Sequence, residues 1–144
     1  MERREYMERE TWSAKYVMGI DEIDEQHRTL FDYVAKLDQC LGSENSRHAV
    51  QRILVELTAW SKVHFAAEEE LMDQISFPEL DDHIEMHLGF LGELSEFMMQ
   101  SHQSDVGQKA SLFLNDWLCQ HIDKEDRKYA ETVIARRAST YLSH

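Results

Sequence analysis

Four stretches of this chain repeat apolar side chains at three- and four-residue steps, the period of a helix that buries one face. The first runs through Ile20, Ile23, Leu30, Phe31, Val34, Leu37 and Leu41, and the second through Ile53, Leu57, Trp60, Leu71 and Ile75. The third runs through Leu80, Leu91, Leu94 and Met98, and the fourth through Leu114, Trp117, Leu118 and Ile122, with Tyr129 at its edge. Into these stripes fall His27; His64 and Glu68; His83 and His87; and His121, with Asp126 on the flank of the last. An imidazole or carboxylate in an apolar seam is costly unless it has a partner. One such residue is commonplace, but seven at corresponding positions need a partner in common.

The 144 residues include one proline and 5 glycines, which suits a single all-helical domain. Gly42 closes the first helix, and Ser43 to Ser46 offers caps for the second. A break falls at Ser76-Phe77-Pro78, with Pro78 expected in the first turn of the third helix. Ser104, Asp105 and Gly107 mark the last turn. Short connections favour an up-down-up-down four-helix bundle over about residues 20–130. Residues 1–19 show no period and are expected to pack as an arm through Trp12 and Tyr16, and residues 131–144 form a short helical tail.

The net charge is -13, with only short basic clusters near Arg3 and Arg136, so a nucleic-acid partner is disfavoured. No apolar run approaches the ~18 residues of a membrane span. Met1 to Glu10 is too charged for a secretory signal, and two cysteines make no disulfide framework; a cytoplasmic protein is expected. Cys40 and Cys119 read as small core residues. No second apolar face is visible on the helices, so the expected state is a monomer.

Helix geometry tests whether the seven residues can meet. His64 and Glu68 lie ~15 and ~9 Å before the second turn of the bundle, and His83 and His87 ~5 and ~11 Å after it, at 1.5 Å per residue. The same count from the other turns brings His27 and His121 to within about one helical turn of that level. His64 with Glu68 and His83 with His87 are i, i+4 pairs that share a face. His121 and Asp126 stand five apart, about 140° around an ideal helix, so Asp126 must reach in from the flank or a local π-bulge must turn it inward.

Thiolates are missing from the set, which argues against structural zinc and iron–sulfur centres. Imidazole with carboxylate suits iron, manganese or zinc. Two six-coordinate metals bound by five imidazoles, two bridging carboxylates and one oxo or hydroxo bridge keep a single open position, on one metal only. A reduced iron pair with one vacancy suits a small diatomic ligand. Leu30, Phe65, Trp117, Leu118 and Ile122 each lie within a turn of a candidate ligand and would form a dry pocket for O2, although each is equally at home as ordinary bundle core.

The segments Ile23-Asp24-Glu25-Gln26-His27 and His64-Phe65-Ala66-Ala67-Glu68-Glu69 resemble the hemerythrin family, and within it the bacteriohemerythrins. So do Phe77-Pro78 followed by His83 and His87, and His121-Ile122 followed by Asp126. The resemblance runs from about Trp12 to Tyr129 and fills all seven ligand positions. It implies two iron ions bridged by Glu68, Asp126 and an oxo or hydroxo group. His83, His87 and His121 would hold the coordinatively full iron, and His27 and His64 the open one. The implied activity is reversible O2 binding for storage, delivery or sensing, without catalysis. Phe77 stands where tyrosine is common, and about ten extra, mostly charged residues precede Trp12, so contacts with a partner are not implied.

Two other functions compete. One is an O2 or redox sensor that signals to a separate partner. The other is a di-iron enzyme acting on peroxide, nitric oxide or an organic substrate. Ferritin-like oxidases draw on Glu-x-x-His pairs, and no such pair supplies these seven residues. A metal-free polar network would leave Glu68 and Asp126 buried without compensation. His48, His102 and His144 are expected to be solvated in turns or the tail. Glu69, Glu70 and Glu125 should face water, with Glu69 or Glu125 able to orient a ligand imidazole.

Overall fold

The apolar stripes form helices, as their period requires. A computed structural model describes residues 13–42, 46–100 and 102–142, with side chains to residue 140. After a short 3-10 turn, Ala14–Tyr16, come α1 (Asp21–Cys40), α2 (Ser46–Gln74), α3 (Leu80–Met99) and α4 (Val106–Gln120). A π-helical turn, His121–Asp126, then leads into α5 (Arg127–Leu142). Helix α1 packs on α2 and α4, and α3 packs on the same two, giving the up-down-up-down bundle. Leu54, Leu57, Phe90, Leu94 and Leu114 sit wholly within its core.

The turn between α2 and α3 explains where α2 stops. Ser76 has φ +53°. Its N–H reaches Asp73 O at 3.0 Å, and Phe77 N–H reaches Met72 O at 2.9 Å. This is a Schellman closure, built on serine where glycine is usual. Pro78 does not open α3 as the sequence suggested; it lies in the turn, two residues ahead of Leu80. His48 likewise lies within the first turn of α2 and not in a connection, though it is exposed as expected. Ser43 is outside the described residues.

The N-terminal arm is latched at two points. Asp24 accepts Met18 N–H at 2.8 Å and Gly19 N–H at 3.1 Å. Arg127 donates to Val17 O at 3.3 Å and to Lys15 O. Tyr16 is buried, its ring 5.2 Å from that of Phe31. Trp12 lies outside the described residues. At the other end of the chain, α5 buries Tyr129, Ala130 and Val133, and residues 134–140 are exposed.

Gly19 crosses under α5 with φ +95°, and a Cβ there would stand 2.9 Å from Ile134 Cδ1. Gly42, at φ +87°, has open space around it. Gly19→Ala therefore combines the ~1–2 kcal/mol of a left-handed backbone with displacement of Ile134, whereas Gly42→Ala incurs the backbone cost alone. Urea unfolding should rank Gly19→Ala as the more destabilised; the reverse order would detach the arm from α5.

Candidate metal centre

Helix spacing and one irregular turn bring all seven candidate residues together. His27 projects from α1, His64 and Glu68 from α2, and His83 and His87 from α3. The fourth rod cannot deliver His121 and Asp126 to one side as an α-helix. It shifts instead to π-helical winding over exactly these residues' span, His121–Asp126, so that residues five apart approach alignment. Asp126, Glu68 and His27 have no exposure at all, and His121, the most accessible of the seven, has 6%.

Each carboxylate lies against imidazoles from more than one helix, Asp126 through separate oxygens and Glu68 partly through one shared oxygen. Asp126 Oδ1 lies 2.9 Å from His83 Nε2 and 3.1 Å from His121 Nε2, while Oδ2 lies 3.1 Å from His27 Nε2. Glu68 Oε2 is 3.3 Å from His27 Nε2, and Oε1 is 3.4 Å from His64 Nε2 and 3.3 Å from His87 Nε2. One donor atom each from Glu68, His83, His87, His121 and Asp126 fall within 4.8 Å of one another. So do donors from His27, His64 and Glu68.

Some of these approaches are hydrogen bonds, His27 Nε2 with Glu68 Oε2 and His83 Nε2 with Asp126 Oδ1, but not all. Glu68 Oε1, Asp126 Oδ2 and His87 Nε2 are buried and make no hydrogen bond. Such orphaned atoms are rare in a native core. Their close neighbours are other donor atoms, as expected where lone pairs converge on the space between them. The chemistry of the set, imidazole and carboxylate without thiolate, suits a first-row metal pair.

The hemerythrin HHE cation binding domain model matches residues 18–133. This chain belongs to the hemerythrin family. It is similar to a bacteriohemerythrin of Stenotrophomonas maltophilia, with 31% identity over 86% of this chain and 81% of that one. A bacteriohemerythrin of Clostridium acetobutylicum is 29% identical over 83% and 98% of the two chains. A crystal structure of wild-type hemerythrin superposes with a TM-score of 0.77 at 28% identity, covering 86% of this chain and 97% of the other.

Around the hemerythrin-type cluster, aromatic rings set the imidazole planes. Phe65 stacks on His87 at 3.8 Å and 7°, and Trp117 stacks on His121 at 4.2 Å and 13°. Leu30, Phe65, Leu118 and Ile122 are buried as the sequence suggested. Trp117 is only half-buried, and with His121 it lines a surface cleft of about 240 Å³.

Three polar neighbours extend the site. His87 Nδ1–H donates to Glu69 Oε2 at 2.8 Å, the orienting role the sequence left open to Glu69 or Glu125. Glu125 instead pairs with Lys128. His64 Nδ1–H donates to Gln26 Oε1 at 2.7 Å, and the wholly buried Tyr129 donates its hydroxyl to Glu68 Oε2 at 2.6 Å. Sequence reasoning missed both. The available signal was position: Gln26 adjoins His27, and Tyr129 lies at the edge of the fourth stripe.

Protonation separates the histidines when no cation is bound. Burial pulls His27 down, but Asp126 and Glu68 against its ring reverse this and hold it up at about 9. Burial takes His64 down to about 4. Burial also opposes ionisation of Glu68 and Asp126, yet the surrounding imidazoles keep both below the ordinary carboxylate range. At neutral pH the His27 imidazolium then faces two carboxylates in a dry core.

The metal-free chain should consequently be most stable near pH 6.5. His27 stabilises the fold fully below 6.5, and this contribution disappears as pH rises through about 9. His64 acts in the other direction: the unfolded chain takes up its proton first, so stability falls as pH drops from 6.5 to about 4. Below that, the depressed carboxylates lose their contribution as they protonate. Urea midpoints in the presence of a chelator measure the profile, and a flat curve between pH 6.5 and 9 would mean that His27 is uncharged in the fold.

Proposed function

We propose that this chain binds O2 reversibly at a non-heme di-iron centre, for oxygen storage, delivery or sensing. His83, His87 and His121 would hold one iron and His27 and His64 the other, with Glu68, Asp126 and an oxo or hydroxo group expected to serve both. The observation that carries this reading is the pair of wholly buried carboxylates, each within 3.4 Å of imidazoles from both groups: Asp126 reaches His83 and His27, and Glu68 reaches His87 and His64. When bound, iron would supply the redox-active Lewis acid that O2 binding requires. Names of relatives, bacteriohemerythrin and hemerythrin, agree with it.

The chain's own residues make the binding selective and reversible. Leu30, Phe65, Leu118 and Ile122, each within a helical turn of a cluster residue, form dry walls, and half-buried Trp117 stacks on His121, so a small apolar molecule enters at less cost than water or a larger substrate. Tyr129 keeps a proton on its own oxygen, since burial and the two carboxylates raise its hydroxyl well above the usual range. It thereby holds Glu68 Oε2 in place. Five neutral imidazoles give the centre less anionic charge than a carboxylate-rich oxidase site. This favours binding over turnover. The proposed working state is a cytoplasmic monomer with O2 as its partner.

Metal analysis after anaerobic reconstitution should give two irons per chain. O2 added to the reduced protein should raise a visible absorption band that disappears on evacuation. A band that persists, or zinc as the sole bound metal, would overturn the reading.

Leu118→Asn brings a polar group to the pocket wall and should accelerate irreversible oxidation under air by an order of magnitude or so, through easier entry of water. The decay of the visible band reports the rate, and an unchanged rate would remove Leu118 from the pocket.

A further inference from the structure

The two groups of imidazoles are gripped from outside by different chemistry. His87 Nδ1–H donates to the carboxylate of Glu69 at 2.8 Å, and His64 Nδ1–H donates to the amide oxygen of Gln26 at 2.7 Å. The two hydrogen bonds match in length, but their acceptors differ by one full charge. Phe65, stacked on the His87 ring, fixes its rotation so that Nδ1 stays on Glu69 while Nε2 faces the cluster. The Glu69 side chain is 30% exposed, and no lysine or arginine pairs with it among the described residues. Its charge is therefore available to the imidazole.

A carboxylate acceptor polarises the Nδ1–H bond and makes the opposite nitrogen a stronger, more anionic donor. A neutral amide acceptor fixes the same tautomer and ring orientation without adding charge. Stronger donation favours the more highly charged cation. We infer that Glu69 and Gln26 are positioning residues that make the two metal positions unequal. Glu69 makes the position faced by His83, His87 and His121 the first to fill and the better holder of the ferric state. Gln26 keeps the position faced by His27 and His64 easier to empty and easier to reduce.

This asymmetry rests on the di-iron reading and has its own test. Donor number alone would also favour the three-imidazole position, but it cannot respond to Glu69→Gln or Gln26→Glu, which leave every ligand in place. Zn2+ titration against a chromophoric chelator reads the two binding steps without redox chemistry. Glu69→Gln should weaken the tighter step by about 10–100-fold, and Gln26→Glu should strengthen the weaker step and leave the tighter one alone. Spectroelectrochemistry of the iron-loaded protein should show a higher reduction potential in Glu69→Gln and a lower one in Gln26→Glu. Each tenfold change in ferric over ferrous preference corresponds to about 59 mV for one electron.

Shifts of opposite sign are the signature of charge, because a purely structural disturbance has no reason to reverse between the two variants. Shifts of the same sign, or none, in variants that still take up two metal ions would overturn the inference and leave the di-iron reading intact. A parent chain that takes up fewer than two would overturn both.

Discussion

Two carboxylates without any contact with water, Glu68 and Asp126, set the terms for this bundle. Removing one member of a buried charge pair typically costs about 3–5 kcal/mol, so a carboxylate in a dry core is tolerated only with compensation close on every side. Here five imidazoles supply it, drawn from all four rods. No two helices could do this alone, because an i, i+4 pair presents only two side chains to one level. The donor cluster thus fixes the height at which all four rods must match, and through it the lengths of the turns.

The rest of the core divides around that level. On one side Leu54, Leu57, Phe90, Leu94 and Leu114 form a conventional apolar interior. On the other, Tyr129 closes the cluster with its hydroxyl on Glu68, and Phe77 meets the Tyr129 ring edge-on at 6.4 Å. Aromatic rings stand between the two regions: Phe65 touches His87 on one side and Phe90 on the other, at centroid distances of 3.8 and 5.5 Å. A flat ring can lie against an imidazole without competing for its nitrogens. That makes it a suitable boundary between polar donors and aliphatic packing.

Much of this was legible in the sequence because helices convert spacing into position. The apolar period located four rods, and counting residues from the turns placed His27, His64, His83, His87 and His121 at one height before any coordinate was known. Spacing could not say which way a polar side chain turns once its neighbours decide the matter. Gln26 and Glu69 are half-exposed and look like solvated helix surface. Only the outward Nδ1 of an inward histidine gives them a role. Pro78 was misplaced by two residues because the Schellman closure at Ser76 had taken up the turn, an arrangement usually signalled by glycine.

Of the two routes the sequence offered Asp126, an approach from the flank or a local π-bulge, the last rod takes the π-helical one. An α-register carried forward from Leu114, Leu118 and His121 points next to Glu125 and Lys128. The observed inward set is Asp126, Tyr129, Ala130 and Val133, one residue later throughout. A single extra residue in the winding therefore turns Asp126 into the cluster, swings Glu125 out to Lys128, and brings the Tyr129 hydroxyl onto Glu68. Such turns cost helical hydrogen-bond geometry and persist mainly at functional sites. Two buried carboxylates that need compensation at one point offer a physical reason for this one: without the shift, Asp126 would face the flank of the bundle and the five imidazoles would surround one carboxylate instead of two.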